Sequence, residues 1–242
     1  MEWGYPSNGI PPSIMKRHIP NFITCLNLFS GCIGVTFALT AQLQLAAYCV
    51  IASGIFDFLD GLVARALHVK SPIGKELDSL ADVVSFGLVP GAIYYTLLTA
   101  AFPQSEYLFY LGFLVTVFSA IRLAKFNIDD RQTTDFIGLN TPMNAFYVVS
   151  LPFLAETYSG LIHHPAFILG SIVVTSALLV SNIRLFSMKL ESMSWQKNRW
   201  KFIFIILSAV CIGLLKFAAV PVILVLYFLF SFIHFRRTAQ AR

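Results

Sequence analysis

The sequence predicts an all-α integral membrane protein, a bundle of about eight transmembrane helices. Two features of its composition predict this class: 57% of the 242 residues are hydrophobic and only 12% are charged. Soluble proteins carry about 25% charged residues, so a soluble domain of this length would need a far more charged surface. The third observation is that the apolar residues fall into long runs, and about 20 such residues span a hydrocarbon core about 30 Å thick.

Counted at that length, the runs define eight candidate spans, at residues 19–39, 43–66, 78–101, 107–124, 141–159, 165–186, 201–215 and 217–235. Only Lys216 separates the last two, so a re-entrant pair, or six spans plus a hairpin, also fits the pattern. Residues 1–18 precede the first span as an irregular segment rich in Pro and Gly, in which Met15 is an alternative start of translation. Residues 19–186 form a six-helix core, and residues 187–242 form an interfacial segment followed by a C-terminal helix pair.

The basic residues predict the orientation of these spans. With the N-terminus in the cytoplasm, all of the 17 Lys and Arg residues except Lys216 lie on the inner side, as the positive-inside rule requires. Both termini are then cytoplasmic. The net charge of +5 does not indicate nucleic-acid binding, because the basic residues are scattered between apolar runs and form no patch with interleaved aromatics.

Four aspartates between residues 57 and 82 stand out in this apolar chain, which has only 12 acidic residues in total. Asp57 and Asp60 share one helix face near the end of the second span, and Asp78 and Asp82 share a face at the start of the third. Because the loop between them (residues 66–75) is short, the two spans are expected to be antiparallel neighbours. Both pairs would then converge near the inner membrane boundary.

Four converging carboxylates need compensation, because unpaired like charges at a membrane boundary are costly. Two divalent cations would balance them, and an all-oxygen ligand set favours Mg²⁺ or Mn²⁺ over zinc. Two such ions can hold a pyrophosphate and orient an attacking hydroxyl. The alternative is that the aspartates pair with Arg65, Lys70 and Lys75 as solvated helix ends.

The stretch Asp57-x2-Asp60-Gly61-x2-Ala64-Arg65-x8-Gly74-x3-Asp78-x3-Asp82 resembles the full signature of the CDP-alcohol phosphatidyltransferases. The resemblance implies attack by an alcohol on the β-phosphorus of a CDP-linked lipid with release of CMP. It also implies that Asp57, Asp60 and Asp78 are metal ligands, and that Asp82 lies near the metals and is the catalytic general base. The residues implied or expected to bind CDP are Gly61, Ala64, Arg65, Gly74, Asn21, Thr24 and Asn27. The last three follow one face of the first span, where they could equally be helix-packing polar groups.

Residues 19–27, 74–87, 119–127 and 136–145 resemble one branch of that family, the bacterial membrane-embedded phosphatidylserine synthases. Asn140 departs from that pattern, which has proline there, and residues 146–242 are similar only in hydropathy. This resemblance implies CDP-diacylglycerol and L-serine as substrates, CMP as a product, a homodimer, and a place in the bacterial cytoplasmic membrane with the active site facing the cytoplasm.

A free amino acid needs a cationic partner for its carboxylate, and Arg122 at the inner end of the fourth span can supply one. The candidate serine-binding residues are Ser119, Arg122, Lys125 and Asn127. Arg122 and Lys125 could instead be topology charges, and glycerol phosphate, inositol phosphate or choline could replace serine as the acceptor. An ion-coupled transporter is a further alternative, but it would place its carboxylates near the bilayer midplane.

Overall fold

The computed structural model describes residues 14–69, 71–129, 136–186 and 195–240. Within them the chain is helical apart from one pair of two-residue strands. The elements in chain order are α1 Ile14–Leu39, α2 Leu43–Ala66, α3 Pro72–Asp82, a π-helical segment Val83–Leu88, α4 Val89–Ala101, a 3₁₀ segment Leu108–Phe113, α5 Leu114–Ile128, β1 Phe136–Ile137, α6 Thr141–Leu154, α7 Ser159–Ile162, α8 Pro165–Val180, β2 Arg184–Leu185, α9 Trp195–Leu215, a 3₁₀ segment Lys216–Ala218 and α10 Ala219–Gln240.

Several predicted span boundaries differ from the helix boundaries, among them the starts of α1 and α3. α1 begins at Ile14 rather than at residue 19, because no Gly or Pro interrupts residues 14–18. α3 begins at Pro72 rather than at Asp78. Ser71 caps it by accepting a hydrogen bond from the Gly74 amide at 3.2 Å, and Pro72 occupies the first turn, a common pattern for a helix start. The rest of the predicted N-terminal segment, Lys70, Arg131 and residues 187–194 lie outside the described residues.

The described helices include five runs long and apolar enough to cross a membrane, namely His18–Leu39, Leu43–Ala66, Pro72–Ala101, Leu108–Ile128 and Arg199–Arg236. The chain is therefore a helical membrane bundle. The last run contains both α9 and α10, which meet at the 3₁₀ segment where Lys216 has a φ of +51°. α6 and α8 are shorter than the spans predicted at 141–159 and 165–186, since they end at Leu154 and Val180.

α1 lies at the centre of the N-terminal half, where it contacts α2, α3, α4 and the π-helical segment. The approach to the π-helical segment is very close, since a Cβ atom on Gly31 would lie 2.5 Å from Oγ of Ser85. The same serine hydroxyl is hydrogen-bonded to the side-chain oxygen of Asn27 at 2.6 Å. The π-helical segment that follows Asp78 and Asp82 is thus packed closely against α1.

The short strands explain why α8 ends early. β1 pairs antiparallel with β2, and beside them the amides of Gly138 and Leu139 donate to the carbonyls of Ile183 and Leu178, each at 2.9 Å. Gly138 has a φ of +76° and its missing Cβ would lie 2.8 Å from the Leu179 carbonyl, so this turn requires glycine. The Leu178 carbonyl in the last turn of α8 and the Ile183 carbonyl beyond it thus accept from the turn before α6.

The C-terminal helix pair packs on this turn rather than standing apart. Tyr227 of α10 donates its hydroxyl to the Phe186 carbonyl at 2.7 Å, and the Phe186 amide donates to Oγ of Ser231 at 3.3 Å. Phe217 stacks on Phe153 of α6 with ring centroids 3.8 Å apart. α10 therefore shares a core with the strands and α6.

Candidate active site

Three aspartates form a compact carboxylate cluster between α2 and α3. Asp57, Asp60 and Asp78 each offer one carboxylate oxygen, and these three oxygens all lie within 4.8 Å of one another. The predicted convergence of the two pairs is therefore correct for these three residues. Asp78 and Asp82 nevertheless lie in the second half of α3 rather than at its start.

Two polar side chains of α1 hold the aspartates in place. Oγ1 of Thr24 donates to Oδ2 of Asp60 at 2.5 Å, and Nδ2 of Asn27 donates to Oδ1 of Asp82 at 3.3 Å. Both α1 residues are buried, as are Asp60 and Asp82. α1 thus bridges the two aspartate pairs, one from α2 and one from α3.

Asp82 lies outside the compact group of three but is part of the same charge cluster. It is only 8% exposed, and its negative charge is repelled by those of Asp57, Asp78 and Asp60. Arg122 of α5 is buried nearby, and Asp82 attracts its guanidinium. Asp82 therefore interacts electrostatically with both the carboxylate cluster and the buried guanidinium of Arg122.

The residues present fit a divalent cation. Oδ1 of Asp78 is buried without a hydrogen-bond partner, although buried polar atoms are nearly always bonded. Of the basic residues that could instead pair with the aspartates, Arg65 is exposed, Lys75 donates to the Asn127 carbonyl at 3.3 Å, and Lys70 lies outside the described residues. An all-carboxylate set of this kind suits a hard ion such as Mg²⁺ or Mn²⁺.

A cavity of about 440 Å³ opens beside the cluster, a volume within the usual range for small-molecule sites. We call it the α1–α3 cavity. It is lined by Pro20, Asn21, Thr24, Asp60, Gly61, Ala64, Val69, Ser71, Pro72, Gly74, Lys75 and Asp78. A Cβ atom on Gly61 would meet nothing within 4 Å, so the cavity reaches the helix backbone there.

Most of the predicted CDP-binding residues thus line one cavity together with two of the predicted metal ligands. Arg65 and Asn27 do not line it. Arg65 is exposed, whereas Asn27 is fully buried against Asp82 and Ser85, which matches the helix-packing alternative for that residue. Pro20, Val69, Ser71, Pro72 and Lys75 were missed. The Ser71-Pro72 pair could have been recognised as a helix start.

A second cavity of about 370 Å³ lies at the ends of α5 and α8. This α5–α8 cavity is lined by Arg122, Lys125, Phe126, Ile128, Asp129, Ile137, Leu179, Val180, Ser181 and Asn182. The guanidinium of Arg122 lies 5.2 Å from the ring centroid of Phe126. Asp82 attracts the Arg122 guanidinium, so one wall residue of this cavity interacts with the fourth aspartate.

Two of the four candidate serine-binding residues line the α5–α8 cavity, Arg122 and Lys125. The other two do not. Asn127 donates from Nδ2 to Oγ of Ser79 at 2.8 Å and thereby joins α5 to α3. Ser119 is fully buried and faces Gly87 of the π-helical segment, whose added Cβ would lie 3.1 Å from that of Ser119.

Comparison with known proteins agrees with this geometry. Residues 17–235 match the family model described as CDP-alcohol phosphatidyltransferase. This match includes residues 146–235. The last third of the chain is therefore similar to the family in more than hydropathy, contrary to the expectation from the sequence. The matched region contains the carboxylate cluster, both cavities and most of the C-terminal helix pair.

Several relatives carry a more specific name. A protein of Helicobacter pylori strain J99 named CDP-diacylglycerol–serine O-phosphatidyltransferase is 35% identical over 229 residues, which is 88% of this chain and 89% of the relative. A Bacillus subtilis protein of the same name is 32% identical over 57% of this chain and 76% of its own length. One from Saccharomyces cerevisiae is 41% identical over 50% of this chain and 45% of its own length.

Proposed function

This chain belongs to the CDP-alcohol phosphatidyltransferase family, and we propose that it is the member that transfers the phosphatidyl group of CDP-diacylglycerol to the hydroxyl of L-serine, with release of CMP. The observation that carries the proposal is the carboxylate cluster of Asp57, Asp60 and Asp78 beside the α1–α3 cavity, with the buried Asp82 interacting electrostatically both with that cluster and with Arg122. The names of relatives that align over nearly the whole chain support serine as the acceptor.

The α1–α3 cavity is the proposed donor site. Gly61 of α2 leaves room for the nucleotide close to the helix backbone, because an added Cβ there would meet nothing within 4 Å. Ala64 and Thr24 line the same cavity, and Gly74 of α3 allows the close approach of Asn21, since an added Cβ would lie 2.7 Å from Oδ1 of Asn21. Arg65 is exposed near the end of α2, where its charge can attract phosphate oxygens from the rim.

The carboxylate cluster is the proposed metal centre, with Asp57, Asp60 and Asp78 as ligands and Asp82 beside them. The bound Mg²⁺ or Mn²⁺ ions would stabilise negative charge on the transferred phosphate and on the leaving CMP. Thr24 keeps the Asp60 carboxylate oriented through its hydrogen bond to Oδ2, and such outer contacts tune metal affinity.

Asp82 is the proposed general base. The serine hydroxyl transfers its proton to the Asp82 carboxylate while its oxygen forms a bond to the β-phosphorus, and the bond from that phosphorus to CMP breaks. Asn27 donates to Oδ1 of Asp82 and so sets the direction of the carboxylate. Arg122 would bind the serine carboxylate, with Lys125 adding positive charge at the cavity wall.

The proposal includes the placement of the protein. The length of the apolar runs supports eight crossings, and the distribution of Lys and Arg supports both termini and the active site on the cytoplasmic side. The family resemblance supports a bacterial membrane. The six-helix core at residues 19–186 would carry the catalytic residues and the helix pair within 187–242 would buttress it. Family resemblance supports a homodimer, which cross-linking of the purified protein would test.

The test is a panel of acceptors. Purified protein with CDP-diacylglycerol and Mg²⁺ or Mn²⁺ is given labelled L-serine, glycerol 3-phosphate, inositol phosphate or choline, and CMP release is measured. We expect release with serine, and no release with serine from the Asp82→Asn variant. Preference for another acceptor would refute the serine assignment, while release by Asp82→Asn equal to wild type would refute the role of Asp82.

A further inference from the structure

Four buried polar side chains on α5, α6 and α8 have no hydrogen-bond partner. These residues, which we call the inner polar layer, are Ser119, Thr141, Asn144 and Ser176. All four are at most 4% exposed. Asn144 is the extreme case, because it is fully buried and neither its Nδ2 nor its Oδ1 has a partner.

Such unpartnered groups are unusual both in general and in this bundle. Most buried polar side chains in proteins are hydrogen-bonded. Nearby on the same helices, Oγ of Ser171 bonds to the hydroxyls of Tyr94 at 2.5 Å and Tyr147 at 3.0 Å, and Thr175 donates to the Ser171 carbonyl at 2.8 Å. The bundle therefore satisfies its polar groups one turn away. Outside the inner polar layer, only Oδ1 of Asp78 and Oγ of Ser208 are buried side-chain atoms without a partner in the described part of the chain.

The inner polar layer is close in sequence to the walls of the α5–α8 cavity, although none of its four residues lines that cavity. Ser119 precedes Arg122 by three residues on α5, and Ser176 precedes Leu179 by three on α8, so each lies one turn inward from a cavity residue on the same helix face. Thr141 and Asn144 begin α6 directly after Leu139, whose amide bonds to the Leu178 carbonyl at the end of α8. α5, α6 and α8 also contact one another.

We propose that the inner polar layer binds the ammonium group of the acceptor amino acid. This inference rests on the proposed function. Arg122 and Lys125 at the cavity wall attract the carboxylate of a zwitterion, which leaves its ammonium to neutral oxygen acceptors. Oδ1 of Asn144 and the hydroxyl oxygens of Thr141 and Ser176 are such acceptors, and each is without a partner.

With this role, the inner polar layer would select acceptors that carry an ammonium group. A site that is built to hydrogen-bond a substrate group strongly rejects analogues that lack the group, since its buried polar atoms are then left unpaired. 3-Hydroxypropanoate has the hydroxyl and carboxylate of serine but no amine. The protein should therefore prefer serine to 3-hydroxypropanoate, and the preference should depend on Asn144.

The experiment compares kcat/KM for L-serine and for 3-hydroxypropanoate in wild type, Asn144→Leu and Thr141→Val. Both substitutions keep approximate side-chain size and remove acceptor atoms. The matched control is Ser171→Ala, which changes a buried serine that already has partners. We expect the KM for serine to rise about 10- to 100-fold in Asn144→Leu, with the KM for CDP-diacylglycerol unchanged and the preference for serine lost.

The outcomes separate this inference from the proposed function. If wild-type protein releases no CMP with serine, the proposed function itself fails. If wild type uses serine but Asn144→Leu and Thr141→Val both keep its KM and its preference over 3-hydroxypropanoate, the layer does not bind the acceptor and the inference is overturned. If Asn144→Leu does not fold, the inference is tested with Thr141→Val and Ser176→Ala. The quantity compared is again the ratio of kcat/KM for L-serine to kcat/KM for 3-hydroxypropanoate.

Discussion

Thr24 and Asp60 are joined across 2.5 Å, with the hydroxyl of the first helix donating to the carboxylate of the second. The same hydroxyl lies 3.1 Å from the Pro20 carbonyl of its own helix, the contact to the carbonyl four residues earlier that a threonine in a helix commonly makes. α1 therefore contributes directly to the carboxylate cluster, although it contains none of the four aspartates.

Replacing Thr24 with Val removes this donor while keeping the side-chain shape. Loss of a contact to a metal-binding carboxylate typically costs about 10- to 100-fold in metal affinity or activity, so we expect a higher Mn²⁺ concentration for half-maximal CMP release. Thr36→Val is the matched control, since the exposed Thr36 hydroxyl donates only to the Ile33 carbonyl of its own helix. Equal metal dependence in both variants would contradict the orienting role of Thr24.

Asp78→Asn should abolish activity without lowering the stability of the fold. It removes a metal ligand, so CMP release should fall to background, but it also removes one of several mutually repelling charges. In the presence of a chelator, the midpoint of thermal unfolding in detergent should therefore be equal to or above that of wild type. Glu76→Gln, an exposed position on the same helix, should change neither quantity. Residual turnover in Asp78→Asn would exclude an essential ligand role.

Removal of divalent ions should abolish CMP release, and Mg²⁺ or Mn²⁺ should restore it. An ion that binds only the folded state also stabilises the protein. At an ion concentration a hundred times the dissociation constant, the free energy of unfolding rises by about 2.7 kcal/mol. Differential scanning fluorimetry should thus show a rise in unfolding temperature with Mn²⁺ for wild type and a smaller one for Asp57→Asn. Full activity after exhaustive chelation would refute a metal-dependent mechanism.

Gly61→Ala tests whether the α1–α3 cavity holds the nucleotide. The added methyl would meet no protein atom within 4 Å, and alanine is favoured over glycine in helices by about 1 kcal/mol, so the variant should fold at least as well as wild type. If the nucleotide binds there, the KM for CDP-diacylglycerol should rise about tenfold to a hundredfold. Gly170→Ala, also in open space on a helix, should gain stability without loss of activity.

Arg122→Gln tests the acceptor side of the site. Charge-assisted hydrogen bonds contribute about 1.5–3 kcal/mol, so we expect the KM for serine to rise about 10- to 100-fold while that for CDP-diacylglycerol is retained. Arg236→Gln is the control, because Arg236 is exposed and stacks on Phe232, 4.8 Å from the ring centroid. Equal effects on both substrates would assign Arg122 to the structure rather than to serine.

Much of the site was predictable because it is local in sequence. The three-residue spacing of Asp57 and Asp60, and the four-residue spacing of Asp78 and Asp82, place each pair on one helix face whatever surrounds them. The predicted second span agrees with α2 at both ends. The hydrogen-bond partners of these carboxylates were harder to predict. In the sequence, Thr24 and Asn27 form only a polar helix face, which can bind either a ligand or another helix.

Composition and spacing by themselves determined the membrane class, the helical architecture and the convergence of three aspartates, because hydropathy and helical periodicity are properties of neighbouring residues. Tertiary structure alone decided which helix holds Asp60 and Asp82, where α8 ends, and which polar groups lack partners. Those features depend on contacts between residues far apart in the chain: Asn27 meets Asp82, Leu139 meets Leu178, and Asn144 is left without a partner only because of how α6 is buried.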